Sequence, residues 1–300
     1  MEGRVLITGP RGFVGRHLAA ELGERAVGTT ANVLDAEAVR SAVASTRPNA
    51  LVHLAARSSV AASWHGATDV WSVNLLGTVN VLSAVRAERP EARVVFVSSG
   101  EVYGRAESLP VTEDAPISPL SPYAASKAAG EIACELARRS EGLKVVVARP
   151  FAHIGPGQGD QFAVGSWTLQ LARAELAGRG TLRVGDLSMQ RDFTDVRDVC
   201  RAYGLMLDTR VPLDIYNVAS GRPTALSDVV EILLGLVTCP IGVERDPSLV
   251  RREDIDVLSG EASRLEGATG WRPTIELERT LADALEEARR IVRSGEAATA

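Results

Sequence analysis

Tyr123 and Lys127 form a pair that can transfer a proton. They lie four residues apart in Tyr-Ala-Ala-Ser-Lys, a segment typical of the start of a helix, so both side chains share one helical face. A phenol has an ordinary pKa of about 10, and acid–base chemistry near neutral pH needs a neighbouring cation that stabilises the phenolate. We expect Lys127 to supply that charge and to lower the pKa of Tyr123.

Ser99 and Glu101 precede this pair and are candidates to contact the same substrate. Ser99 follows an apolar run that predicts a buried strand. A hydroxyl at a strand end can hydrogen-bond a substrate oxygen and hold it beside the phenol. Serines at strand ends are often caps, and Tyr–Lys pairs are common on helices. The assignment therefore depends on the order of the motifs along the chain.

A glycine-rich turn near the N-terminus predicts a dinucleotide site. Gly9, Gly12 and Gly15 follow the apolar run 5–8 and lead into an amphipathic stretch. Glycines let the backbone approach a diphosphate, whose charge the positive end of the following helix stabilises. Phe13 and Val14 complete this candidate cofactor contact.

The end of the second predicted strand bears on the choice of cofactor. An acidic residue there would bind the ribose 2′-hydroxyl of NAD(H) and repel a 2′-phosphate. The strand ends instead at Thr29, and Arg11 in the turn is a cation that can meet a 2′-phosphate. NADP(H) is therefore favoured over NAD(H), although Arg11 can also be a solvated surface charge. Asp35 is a candidate adenine contact or an N-cap of the helix that follows.

The positions of these residues require an alternation of strands and helices. Short apolar runs and longer amphipathic stretches alternate in the first half, which is typical of a parallel sheet with crossover helices. The predicted strands are 4–8, 25–29, 50–55, 93–98 and 144–149, and the predicted helices are 14–22, 36–44, 72–88 and 122–139. Residues 151–162 are rich in Gly, Pro and Gln and predict a loop. Later elements are a helix at 198–207, a strand at 215–218, and helices at 226–236 and 279–293.

The resulting fold prediction is α/β, a doubly wound parallel (Rossmann) sheet with a smaller C-terminal substrate lobe. Residues 1–150 and about 195–220 are assigned to the dinucleotide-binding domain. Residues of about 151–194 and 221–300 are assigned to the lobe that binds the second substrate.

The composition argues against several classes of protein. The formal net charge is −5 at pH 7, and no block of like charge could follow a nucleic-acid backbone. No apolar run approaches the roughly 18 to 20 residues that span a bilayer, and no signal-peptide pattern opens the chain. We expect a cytoplasmic protein without a nucleic-acid or membrane partner. The three cysteines and four histidines show no metal-ligand spacing, so no metal is expected.

With these motifs in order, the chain resembles the extended short-chain dehydrogenase/reductases that modify nucleotide sugars, over nearly its whole length. The matching segments are 8–15, 53–56, 73–78, 98–104 and 123–127. Within that group it resembles the GDP-4-dehydro-6-deoxy-D-mannose reductases, through Ser-Ser-Gly-Glu-Val-Tyr-Gly at 98–104, Arg-Pro-Phe at 149–151, His-Ile-Gly-Pro-Gly-Gln at 153–158, Arg-Asp-Phe-Thr-Asp-Val-Arg-Asp at 191–198 and Thr-Gly-Trp-Arg-Pro at 269–273.

The resemblance implies a reductase that delivers hydride to C4 of a nucleotide-linked 4-keto-6-deoxyhexose. Tyr123 would be the proton donor, Lys127 would hold the nicotinamide ribose, and Ser99 would orient the keto oxygen. Arg191 and Arg251 would contact the diphosphate of a GDP-sugar, or of a dTDP-sugar, unless they are solvated surface arginines. Further implied cofactor contacts are Leu54, Ala55, Ala56, Asn74, Pro150 and His153.

The resemblance also implies a homodimer, formed through the helices at 72–88 and 122–139. Ala128, Ile132 and Leu136 fit such an interface, or simple core packing.

The chain departs from the family pattern at one position that contacts the substrate in relatives. Relatives commonly carry Asn where Ala152 stands, and that Asn contacts the sugar nucleotide. A 4,6-dehydratase is a rival, although Gly100 stands where dehydratases commonly place an acidic proton donor. A 4-epimerase is a second rival, and a non-catalytic dinucleotide-sensing protein is a remote third.

Overall fold

The computed structural model describes residues 3–250 and 255–295. Its strands are β1 (Val5–Thr8), β2 (Ala26–Thr29), β3 (Ala50–His53), β4 (Arg93–Val97), β5 (Lys144–Pro150), β6 (Ala152–Ile154), β7 (Gly180–Val184), β8 (Gln190–Asp195), β9 (Ile215–Val218), β10 (Pro223–Ala225), β11 (Ile241–Arg245) and β12 (Val257–Leu258).

The α-helices are α1 (Phe13–Leu22), α2 (Ala36–Thr46), α3 (Val60–Ser63), α4 (Ala67–Trp71), α5 (Gly77–Glu88), α6 (Pro122–Glu141), α7 (Ala163–Ala177), α8 (Val196–Met206), α9 (Leu226–Gly235), α10 (Ser263–Thr269) and α11 (Leu277–Ser294). A π-helical turn at Ser72–Leu76 joins α4 to α5, and short 3₁₀ turns cover Gly23–Arg25, Gly100–Tyr103 and Pro247–Leu249.

Six parallel strands form the central sheet, in the order β2–β1–β3–β4–β5–β9. Side chains alternate across each strand, so Val5 and Ile7 pack on one face with α1 and α8, while Leu6 packs on the other. Helices α2, α5 and α6 cover that second face. The doubly wound α/β prediction is confirmed, and the carboxyl ends of the strands meet at one edge, where such sheets bind ligands.

One strand is less buried than the others, and one prediction is wrong. Strand β2 is only partly buried because it lies at the edge of the sheet with β1 as its neighbour. We expected residues 151–162 to form a loop, but Ala152–Ile154 form β6, which pairs in parallel with β8. The chain thus passes directly from the main sheet into a second one.

Most elements after β5 build a second, smaller core, whereas α8 and β9 belong to the main one. Strands β10, β8 and β12 form a sheet with β6 attached, and β7 pairs with β11. Apolar residues from α7, α9 and α11 enclose the buried side chains of Ile154 and Leu182. The sequence did not predict α7, β7 or β8. In residues 3–250 and 255–295, no helix is both long enough and apolar enough to cross a membrane.

Candidate active site

The glycine-rich turn is packed too closely for side chains. Gly9 has φ of +71°, and a Cβ there would lie 3.0 Å from the backbone nitrogen of Ala55. A Cβ on Gly15 would lie 2.3 Å from the carbonyl oxygen of Gly9. Helix α1 starts after Gly12, and no side chain caps its first turn. This cradle fits the diphosphate of a dinucleotide, because backbone N–H groups and the positive end of α1 face it.

A directional hydrogen-bond network connects this turn to the neighbouring strand end. The amide groups of Leu54 and Ala55 both donate to Oγ1 of Thr8 at 3.1 Å. That hydroxyl therefore gives its own proton to Nδ1 of His53, 2.8 Å away. Burial lowers the pKa of His53 to about 3, and the nearby charge of Lys127 contributes to the same shift, so the imidazole is neutral.

The network continues to the residues beside the helix that carries Tyr123. Nε2 of His53 lies 3.2 Å from Oγ1 of Thr78, which itself donates to the carbonyl oxygen of Asn74 at 2.6 Å. The Asn74 amide accepts from the Arg57 backbone nitrogen at 2.8 Å and donates to Oγ of Ser126 at 2.9 Å. Asn74 thus holds the segment after β3 against α6, and its side chain is engaged by protein groups.

Ser99, Tyr123 and Lys127 lie together and are buried. Tyr123 and Lys127 are on α6, which starts with Ser121 as its N-cap and Pro122 in its first turn. Ser99 follows β4 and accepts from the backbone nitrogen of Glu101 at 3.2 Å. A hydrogen bond joins Ser99 to the Tyr123 hydroxyl, and the charge of Glu101 acts on the same phenol. The strand end and the helix start therefore place these four side chains in one site.

The net effect of the protein is to raise the pKa of Tyr123, whereas we expected Lys127 to lower it. Burial raises the pKa of Tyr123 to about 12, against the opposing hydrogen bond from Ser99. Burial also lowers the pKa of Lys127 to about 8. Desolvation penalises the charged form of each group, so the phenol is held as the acid.

The remaining candidate cofactor contacts differ in their exposure and in the protein groups that they contact. Arg11 is exposed, and Thr29 ends the edge strand β2. Asp35 caps α2 by accepting from Ala38 at 3.0 Å, so the N-cap alternative is the one observed. Phe13 stacks in parallel on His153, with 6.2 Å between ring centroids. The other candidates lie at strand ends or in α1 and are buried or half-buried: Val14, Leu54, Ala56 and Pro150.

Two further candidate substrate contacts, Ala152 and Arg191, lie on the second sheet. Ala152 begins β6 and pairs with Phe193 of β8. Arg191 is 8% exposed, so its alternative as a solvated surface arginine is wrong. Its Nη1 donates to the carbonyl oxygens of Gln190 and Ile255 at 2.8 Å and 2.6 Å. Arg251 lies outside the described residues.

Several buried polar residues near the site were missed by sequence reasoning. Ser98, Glu131 and Arg149 form a hydrogen-bonded group directly behind Ser99. Asp192 is completely buried and accepts from the backbone nitrogens of Ser220 and Gly260. Glu131 follows Lys127 by four residues, about one helical turn. That spacing could have indicated that Glu131 lies on the same helical face as the catalytic residues.

Comparison with known proteins assigns the chain to a family. A family model described as GDP-mannose 4,6 dehydratase matches residues 23–284. The chain is 35% identical over 291 residues to the GDP-6-deoxy-D-mannose reductase of Pseudomonas aeruginosa, covering 94% of this chain and 95% of that protein. The chain belongs to the extended short-chain dehydrogenase/reductase family. The matching family model is that of a nucleotide-sugar enzyme, which agrees with the resemblance found in the motifs.

Solved structures of this dehydrogenase/reductase family have the same fold. RMD from Pseudomonas aeruginosa, solved in complex with NADPH, is 34% identical with a TM-score of 0.88, covering 96% of this chain and 99% of that one. The UDP-glucose 4-epimerase of Thermus thermophilus, solved in complex with NAD, is 28% identical with a TM-score of 0.86, covering 95% and 99%. Relatives with either cofactor thus share the architecture. In the described part of the chain, no group of three or more His, Cys, Asp or Glu residues could hold a metal ion.

Proposed function

We propose that the protein is an NADP(H)-dependent reductase of a GDP-linked 4-keto-6-deoxyhexose. The observation that carries the proposal is the buried Tyr123 phenol, hydrogen-bonded to Ser99 one helical turn from Lys127. Similarity to a GDP-6-deoxy-D-mannose reductase over nearly the whole of both chains supports the substrate class. A dTDP-sugar is the alternative substrate.

The chemistry assigned to the chain's own residues is proton delivery. A dinucleotide whose diphosphate binds in the glycine cradle would supply hydride to the carbonyl carbon. Tyr123 donates its proton to the carbonyl oxygen, and Ser99 holds that oxygen in line. A pKa of about 12 keeps Tyr123 protonated before the reaction, which suits an acid. Lys127, one turn further along α6, is proposed to hold the nicotinamide ribose.

Position 100 favours a reductase over a dehydratase. Gly100 has no side chain to protonate a leaving hydroxyl, and the ring of Phe151 packs against its backbone. Glu101 remains beside Tyr123 and is assigned to substrate binding. The epimerase alternative is supported by the similarity to a UDP-glucose 4-epimerase and needs a cofactor that is not consumed.

NADP(H) is proposed over NAD(H) because of two features near the cofactor turn. Strand β2 ends at Thr29 without an acidic residue, and the exposed Arg11 lies in the turn itself. A guanidinium suits a 2′-phosphate because its planar N–H groups match paired phosphate oxygens. The similar structure with NADPH supports this choice.

The second core is proposed as the sugar-nucleotide lobe, with residues of about 151–194 and 221–300. In this proposal, Arg191 on β8 contacts the diphosphate of the sugar nucleotide, and Ala152 on β6 contacts its sugar. Residues 1–150 and about 195–220 are proposed as the cofactor domain.

A homodimer in the cytoplasm is also proposed. Ile132 and Leu136 on α6 are 71% and 61% exposed, and Leu76 before α5 is 50% exposed. Apolar side chains on one face are stabilised by burial against a second copy. Ala128 does not belong to this face, because it is buried in the core.

The proposed activity is tested by measuring how much NADPH is oxidised for each sugar that is reduced. Purified protein, a GDP-linked 4-keto-6-deoxyhexose and NADPH should give one NADPH oxidised for each sugar reduced. An epimerase or a dehydratase would convert its substrate without net oxidation of the cofactor, and a dinucleotide-sensing protein would convert none. Either result would refute the reductase proposal.

A further inference from the structure

A buried ion pair lies directly behind the candidate catalytic residues. The side chains of Glu131 and Arg149 are 6% and 3% exposed. Nη2 of Arg149 donates to Oε2 of Glu131 at 2.6 Å, and Nε donates to both carboxylate oxygens at 3.0 Å and 3.2 Å. Glu131 follows Lys127 by one turn of α6, the catalytic helix, and Arg149 lies on β5.

The rest of this pair's hydrogen-bonding capacity is also used. The Ser98 hydroxyl donates to Oε1 of Glu131. Nη1 of Arg149 donates at 2.8 Å to the hydroxyl of Tyr103, which donates to Oδ1 of Asn217 at 2.7 Å. A buried ion pair is tolerated when such bonds satisfy both partners. The charges of Glu131 and Arg149 are therefore held in fixed positions.

Helix α6 holds the end of β4 at two consecutive residues. Nζ of Lys127 donates to the carbonyl oxygen of Val97 at 2.7 Å, and Glu131 accepts from Ser98. Ser99 is the next residue along the chain. The position of Ser99 relative to Tyr123 thus depends on both contacts.

We infer that Glu131 is a positioning residue with two effects: its carboxylate fixes the strand end that carries Ser99, and its charge keeps the Lys127 ammonium protonated. Arg149 holds the carboxylate in place through the hydrogen bonds from its Nε and Nη2 atoms. The consequence for catalysis rests on the proposed function, whereas the effect on Lys127 does not.

The groups packed around Lys127 leave Glu131 as its anionic neighbour. Burial lowers the pKa of Lys127, and the Cys134 and Glu131 groups raise it. Burial raises the pKa of the Cys134 thiol well above its usual range, so that group stays uncharged while Lys127 titrates. His53 on β3, Tyr103 and Tyr123 carry no charge near neutral pH, and the Phe96 ring lies 5.4 Å from Nζ. The carboxylate of Glu113 acts on Tyr103, and the Glu113 carbonyl oxygen accepts from Nη1 of Arg149. Glu101 acts on Tyr123 from the 3₁₀ turn, and Arg149 faces Glu131 from β5.

The sequence offers a direct way to measure this effect. The chain contains two lysines, Lys127 and Lys144. Lys144 is at the surface in a pair with Glu91. In a Lys144→Arg background, protein labelled with ¹³C and ¹⁵N in lysine gives NMR signals of Lys127 alone, and its titration needs neither substrate nor activity.

In this background, Glu131→Gln should lower the titration midpoint of Lys127 by about one pH unit or more, because an opposite charge nearby is lost. The alkaline limit of kcat should move to lower pH by the same amount. The control is Glu135→Gln, one turn further along α6 and paired with Arg138. It should leave the midpoint unchanged. An unchanged midpoint in a folded Glu131→Gln protein would overturn the charge effect.

A second variant tests the positioning effect even if Glu131→Gln fails to fold. Glu131→Asp keeps the charge but shortens the reach to Ser98. It should keep the Lys127 midpoint near that of the parent protein and lower kcat by about tenfold, with KM nearly unchanged. A kcat of Glu131→Asp equal to that of the parent protein would refute the positioning role. If the parent protein reduces no 4-keto sugar nucleotide, the proposed function fails, while the midpoint shift still decides the role of the Glu131 charge.

Discussion

Nζ of Lys127 donates a 2.7 Å hydrogen bond to the carbonyl oxygen of Val97. This bond ties the catalytic helix to the strand that ends two residues before Ser99. The relative position of the phenol and the serine is therefore set by the fold before any substrate binds. Preorganisation of this kind lowers the cost of aligning a proton donor with a reacting oxygen.

Replacing Tyr123 by Phe should remove the proton donor while keeping the ring. Turnover should fall by about 10²- to 10⁴-fold, the usual contribution of an acid–base group. Affinity for NADPH, measured by fluorescence titration, should remain nearly unchanged because the glycine cradle is intact. Turnover equal to that of the parent protein would show that another group donates the proton.

His53 should make the stability of the protein depend on pH. Its folded pKa of about 3 lies below the ordinary value of 6.5, so the unfolded chain binds the extra proton. The contribution of His53 is present above pH 6.5 and is lost as the pH falls towards 3. The slope reaches about 1.4 kcal/mol per pH unit.

The measurement is urea unfolding of the parent protein and His53→Gln at several pH values. His53→Gln should be less stable at pH 7, and the difference between the two proteins should shrink as the pH falls from about 6 to about 4. Carboxylates titrate in both proteins and cancel in this comparison. A difference that stays constant with pH would contradict a buried neutral histidine.

Arg11 should discriminate between the two pyridine dinucleotides. Arg11→Met should lower kcat/KM for NADPH by about tenfold, through the loss of one charged contact, and should leave kcat/KM for NADH nearly unchanged. Arg173→Met, an exposed arginine on α7, is the matched control. Equal losses with both cofactors would mean that Arg11 does not contact the 2′-phosphate.

Charges placed on the exposed face of α6 should separate a dimer. Sedimentation velocity should give about twice the 31.8 kDa chain mass for the parent protein, and a monomer for Ile132→Asp with Leu136→Asp. Leu176→Asp, equally exposed on α7, should remain dimeric. A parent protein that sediments as a monomer would refute the proposed assembly.

The cofactor half of the fold could be predicted because the sequence features that define it lie close together along the chain. Strands such as β1 and β3 are short apolar runs, buried on both faces, and the glycine turn follows β1 directly. The order of these elements along the chain determines which residues meet at the edge of the sheet.

The second core could not be predicted in this way. Strand β8 contains Arg191 and Asp192, whose buried polar atoms bind distant backbone groups, so its sequence lacks an apolar pattern. The Asp192 carboxylate accepts hydrogen bonds from the backbone nitrogens of Ser220 and Gly260, which lie 28 and 68 residues away along the chain. Such pairings are set by tertiary structure, and the same is true of Glu131 and Arg149. Burial likewise raises the pKa of Tyr123, and the sequence alone did not show how deeply that phenol is buried.

Isotope tracing tests directly whether hydride is transferred from the cofactor to the sugar and stays there. NADPH deuterated at the transferring position of the nicotinamide is mixed with the enzyme and a GDP-linked 4-keto-6-deoxyhexose, and the product is analysed by NMR. We expect one deuterium at C4 of the sugar for each NADPH oxidised. A product without deuterium at C4, or with the label at C6, would contradict this expectation.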